Sequence, residues 1–73
     1  MKVYVVMMGE MYQGADPLGV SASEEGANAI AGDAMKAHGN MRWEAKESEY
    51  SVAYWVGDDG YQMVWIELME VVP

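Results

Sequence analysis

The chain holds one histidine, His38, and no cysteine. A histidine that works as a general base needs a nucleophile and an orienting partner at a recognisable spacing, and none accompanies it. It falls on an apolar stripe just before Gly39, close to the carbonyls that end a helix, and reads as a cap or core residue. Asp58 and Asp59 are adjacent carboxylates between Gly57 and Gly60. A calcium loop needs more oxygen ligands at set spacings, so these two read as turn residues. Glu44, Glu47 and Glu49 are the remaining candidates for an acid–base pair, but nothing in the sequence supplies a cleft, and they read as solvated charge. A structural zinc site needs thiolates or several histidines. Glycine-rich phosphate loops, metal-binding helix motifs and nucleophile elbows are missing from the sequence. The expectation is no catalytic site, no metal, no cofactor and no enzymatic activity.

The elements that would position these residues follow from periodicity. Lys2–Met8 is valine-rich and reads as a strand. Gly9–Pro17, with Gly14 and Asp16-Pro17, reads as a loop or wide turn, and Leu18-Gly19-Val20 as a short second strand. Ser21-Ala22-Ser23-Glu24 matches a capping box, with Ser21 as N-cap and Ser23 as the alternative. Glu24 and Glu25 then lie in the first turn, where the helix dipole favours negative charge. Ala27, Ile30, Ala31, Ala34, Met35 and His38 recur at helical spacing, and Gly39-Asn40 supplies the stop. The stripe is mostly alanine and is interrupted by Gly26 and Gly32, so this helix needs a sheet beneath it. Met41–Lys46 alternates as a candidate further strand. Tyr50–Val56 is another, its large apolar residues on the opposite parity, which implies a turn or bulge near Glu47–Glu49. Gly57-Asp58-Asp59-Gly60 signals a hairpin, and Tyr61–Val72 reads as the last strand, ended by Pro73. The predicted fold is one α+β domain over 1–73. It is an antiparallel β-sheet of four to five strands with one α-helix packed on one face, in the order β-β-α-β-β.

An even-length loop at 57–60 makes paired residue numbers add to an odd sum. One face then carries Tyr50, Val52, Tyr54, Val56, Tyr61, Met63, Trp65, Glu67 and Met69. The other carries Ser51, Ala53, Trp55, Gln62, Val64, Ile66 and Leu68, which suits a covering helix. A three-residue loop would exchange the two. Lys2–Met8 is also apolar on both sides, and one helix covers only one face. The tyrosine, tryptophan and methionine face is therefore expected to be an interaction surface. The alternative is that the sheet curls, or that 9–17 folds beneath it.

Size and charge point the same way. A chain of 73 residues has room for one domain and a small core, and domains of about this size usually need disulfides, a metal or a second subunit. Without cysteine, association remains, and a homodimer is expected. Twelve acidic residues against four basic ones give a net charge of −8. This disfavours direct nucleic-acid binding and anionic membranes, and favours a protein partner with a basic surface. Solubility is the plainer reason for such charge. The N-terminal apolar run is too short to span a bilayer and makes a poor signal peptide. With no cysteine in the chain, a cytoplasmic location is expected.

Val3-Tyr4-Val5-Val6, Leu18-Gly19-Val20, Ser21-Ala22-Ser23-Glu24-Glu25 and Trp65-Ile66-Glu67-Leu68-Met69-Glu70-Val71 succeed one another along the chain. In that order it resembles small uncharacterised proteins of bacteriophages and prophages. It departs from them in its glycine- and alanine-rich helix and its longer 41–50 segment. The resemblance carries over no catalytic or ligand residue. Size, acidity and a spare face also resemble phage anti-defence proteins, including anti-CRISPR proteins. What that resemblance implies is an inhibitor of a host defence or nucleic-acid-handling protein, acting in the host cytoplasm. The alternative is a structural or accessory phage protein that uses its exposed face to self-assemble. Tyr50, Tyr54, Met63 and Trp65 are the expected contact residues. Glu24, Glu25, Asp58, Asp59 and Glu67 are expected to steer and rim the contact.

Overall fold

The computed structural model describes residues 1–10 and 13–72. Met11, Tyr12 and Pro73 lie outside them, and with them the expected stop at Pro73 and part of the expected 9–17 loop. The fold is α+β, with one helix and a five-stranded antiparallel sheet. The elements are β1 (Lys2–Glu10), β2 (Gly14–Ser21), α1 (Glu24–Lys36), β3 (Trp43–Lys46), β4 (Ala53–Gly57) and β5 (Gln62–Glu70). The spatial order is β2-β1-β5-β4-β3, which puts the first and last long strands side by side at the centre.

The 9–17 segment corrects the sequence reading. β1 continues to Glu10 and β2 begins at Gly14, so most of the expected loop is a hairpin of two long strands. Pro17 is accommodated because β2 is an edge strand and the register shifts beside it, between Val6 and Met7. A proline lacks the N–H that a central strand would need, and edges and bulges are where strands tolerate it.

The helix start is also corrected. Ser23, not Ser21, is the N-cap, with extended backbone and its Oγ accepting from the Gly26 N–H at 3.1 Å. Ser21 supports it from behind, its Oγ accepting from the Ser23 N–H at 3.2 Å. Gly26 is therefore a requirement of the cap: a β-carbon there would collide with the Ser21 hydroxyl. Glu24 takes no part in a capping box and sits with Glu25 in the first turn. The helix ends at Lys36 with Ala37 as its C-cap, short of the expected stop, and the turn that follows carries His38 and the left-handed Gly39 at φ 69°.

The core is small and lies between the helix and one sheet face. Val6, Val64 and Ile66 of the sheet and Ala27 and Ala31 of the helix are its fully buried apolar residues, among the described residues. Tyr4, Met8, Ile30, Met35, Ala53, Trp43 and Trp55 pack around them. The alanine stripe brings the helix close to β2, β1 and β5, where Gly19 leaves room for Ile30. No described helix is long and apolar enough to cross a membrane.

Candidate protein-binding face

The β4–β5 turn decides which side chains share a face. The Gly60 N–H donates to the Gly57 carbonyl at 3.0 Å, and Gly60 takes the left-handed backbone at φ 77°. Asp59 Oδ1 accepts from the N–H groups of Tyr61 at 2.8 Å and Gln62 at 3.0 Å. Those two bonds, Gln62 first, hold the Asp59 carboxyl below the usual carboxylate range. The resulting register pairs Tyr54 with Trp65, Val56 with Met63 and Ala53 with Ile66, the odd sums that the sequence predicts. Ile66 and Val64 point to the helix. Tyr54, Val56, Met63, Trp65, Glu67 and Met69 therefore lie on the other side.

The neighbouring strands extend that side. β1 contributes Val3, Val5 and Met7, opposite Met69, Glu67 and Trp65 of β5. Val20 of β2 lies beside Val5. At the far edge, β3 sets Glu44 beside Val56 and Lys46 beside Tyr54. No described element packs on this face. Its central residues are half-buried, while Val20 and Met69 are exposed.

At the centre, the Tyr54 hydroxyl donates to Sδ of Met63 at 3.0 Å. Together with Trp65 they floor an apolar hollow of about 210 Å³, closed at its rim by Ser48, Tyr50, Ser51 and Glu67. The sequence reading placed Tyr50 on a strand. It lies instead in the connection before β4 and is 87% exposed. Its neighbourhood there matches the expected set, since Tyr50, Tyr54, Met63, Trp65 and Glu67 meet in one place.

Of the predicted rim carboxylates Glu67 lies at this hollow, and the other four lie elsewhere. Glu24 and Glu25 stand on the first turn of α1, with the sheet between them and Trp65. Asp58 and Asp59 cap the hairpin turn beyond β4, and Asp59 is committed to backbone N–H groups. The face itself is poor in charge. Glu44 and Lys46 neutralise each other at 3.1 Å, which leaves Glu67 as the formal charge toward the centre. Glu47 and Glu49, read from the sequence as solvated charge, are exposed in the β3–β4 connection. No group of three or more histidine or acidic side chains could hold a metal ion, among the described residues.

Sequence reasoning missed Trp43 and Met41. Trp43 lies on the helix side of β3, its ring edge-on to His38 with centroids 5.7 Å apart. Its indole Nε1 is buried with no hydrogen-bond partner among the described residues. Met41 lies over Gly57, where a β-carbon would strike its sulfur. Trp43 packs against the core, and Met41 covers the end of β4. His38 thus serves as a packing residue, in keeping with the cap-or-core expectation. The alternating pattern of 41–46 marks a strand, but not the side its tryptophan takes.

Comparison with protein-family models, curated proteins and solved structures gives no match.

Proposed function

We propose that this chain is a non-enzymatic protein-binding module whose contact surface is the open face of its sheet. The observation that carries the reading is the placement of Tyr54, Met63 and Trp65 at the centre of a face that no described element covers. Aromatic and methionine side chains in such a setting are the usual energetic centre of a protein interface. Within this reading, the chain is a phage-encoded inhibitor, anti-CRISPR-like, of a host defence or nucleic-acid-handling protein, and it acts by occluding a basic surface. The net charge of −8 supports that partner chemistry through long-range attraction.

A second reading, a structural or accessory phage protein that assembles through the same face, is favoured by the carboxylates standing off that face. The test of the common element is capture. Immobilised wild-type chain and a folded Trp65→Ala variant are exposed to bacterial lysate. Polypeptides held by the wild type and lost by the variant support the face as the contact surface. Equal retention of the same polypeptides by both, with self-association of the variant also unchanged, removes it.

A further inference from the structure

We infer that the first occupant of the open face is a second copy of this chain, stacked sheet on sheet in an isologous dimer with the two helices outermost. The inference rests on the reading of that face as a protein-contact surface and names what covers it.

Charge is the first argument. The molecule carries −8 overall, yet the strands of its open face present one compensated pair, Glu44 with Lys46, and the single carboxylate Glu67, with Glu47 and Glu49 exposed in the adjoining β3–β4 connection. A basic partner would gain from carboxylates around its landing site. Glu24 and Glu25 are instead on the helix layer and Asp58 and Asp59 at the hairpin turn. A charge-depleted centre is what protein interfaces share, and the matching surface on this molecule is the same face of another copy.

Area is the second. A monomer of 8.1 kDa exposes about 4,500 Å² by the usual scaling, whereas this chain exposes 5081 Å². The excess is that of a fold lacking a covering layer. At about 4.8 Å between strands and 3.3 Å per residue, the sheet plane measures about 550 Å² per copy. Two copies face each other over about 1,100 Å² of sheet plane, just under the roughly 1,200–2,000 Å² that stable interfaces bury, and interdigitating side chains bury more surface than the plane they stand on. Sheets stack face to face about 10 Å apart with strands near-aligned. In that arrangement Trp65 and Met7 of each copy fill the seam, and the acidic helix layers are left to meet other proteins.

Sedimentation of the purified chain at micromolar concentration tests this, with Trp65→Glu and Met7→Glu as two independent variants on neighbouring strands. The expected result is a dimer of about 16 kDa for the wild type, and a shift to monomer by at least tenfold in dissociation constant for whichever variants keep the wild-type circular dichroism. A folded variant that still dimerises like the wild type overturns the proposal, since the contact would then run through strand edges. A wild-type monomer also overturns it. If that monomer loses captured lysate polypeptides on Trp65→Ala, the contact-surface reading stands and only its occupant was wrong; if capture is indifferent to Trp65, both fall.

Discussion

Tyr54 and Trp65 are cross-strand partners on the open face, their ring centroids 6.5 Å apart and their planes tilted by 31°. The Tyr54 hydroxyl is satisfied by the sulfur of Met63, and the three side chains line one hollow. The cluster is thus preorganised without belonging to the core, whose fully buried members lie on the opposite side of the sheet. An interface anchor held in its binding rotamer loses less side-chain entropy on association.

This separation predicts how Trp65→Ala behaves. Association through the face weakens by about 2 kcal/mol or more, mostly through faster dissociation. The melting temperature of the dissociated chain falls only modestly, because the ring covers neighbours and not the core. Thermal melts at submicromolar concentration alongside binding measurements check both parts. A collapse of the melting temperature would make Trp65 a core residue, with lost binding as its by-product.

The two helical glycines should respond in opposite ways. A β-carbon at Gly32 meets nothing within 4 Å, so Gly32→Ala should stabilise by about 0.5–1 kcal/mol through helix propensity alone. At Gly26 the same change displaces Ser21 Oγ and disturbs the Ser23 cap, which offsets the gain. Chemical denaturation of the two variants decides the matter. Equal stabilisation by both would mean that the paired serines contribute nothing.

How legible all this was depended on whether local chemistry alone set the outcome. The glycine-bracketed turn at 57–60 fixes its own length, and that length fixes which of Tyr54, Trp55, Val64 and Trp65 share a side. The face assignment could therefore be read directly. β2 could not, because Gly14 and Pro17 carry loop signals that only an edge position and a register shift override. The helix start was ambiguous between two serines. Gly26 resolves it, by leaving space for both hydroxyls, and a rule that looks for a glutamate three residues on does not see that. Trp43 meets His38 only after the chain has reversed between α1 and β3, a contact with no local signature. The layer on which Glu24 and Glu25 stand is likewise a property of topology, which is why these two lie away from the aromatic cluster while Glu67 lies at it.

Asp59 gives the turn a pH dependence. Its carboxyl is held below its ordinary value of 3.8 by the Gln62 and Tyr61 N–H groups. A depressed carboxylate contributes stability that is full above the ordinary value and is lost as pH falls through the lowered one. Asp59→Ala should then melt lower than the wild type at pH 7, with the gap closing as the solution is acidified below about pH 4. Asp59→Asn retains an acceptor oxygen and should fall between the two, without that acid dependence. A gap between wild type and Asp59→Ala that stays constant down to about pH 2 would show that the carboxylate does not hold the turn.

Salt should act oppositely on the two kinds of association this molecule offers. Two copies bring −8 toward −8, a repulsion that opposes stacking at low ionic strength. Raising salt shortens the screening length from about 30 Å at 0.01 M to about 8 Å at 0.15 M, while the apolar contact of Met7, Val5 and Trp65 is little affected. The dimer should tighten as salt rises. Capture of a basic partner by the acidic layer should weaken over the same range. Glu24→Gln with Glu25→Gln should slow that capture and flatten its salt dependence while leaving dimerisation intact. Asp58→Asn adds to the effect without disturbing the turn, since Asp58 contributes its backbone N–H, to the Arg42 carbonyl at 2.8 Å. Sedimentation and association kinetics across a salt series read the two trends separately. Weakening of both associations with salt would mean that charge pairing, and not the aromatic face, holds the copies together.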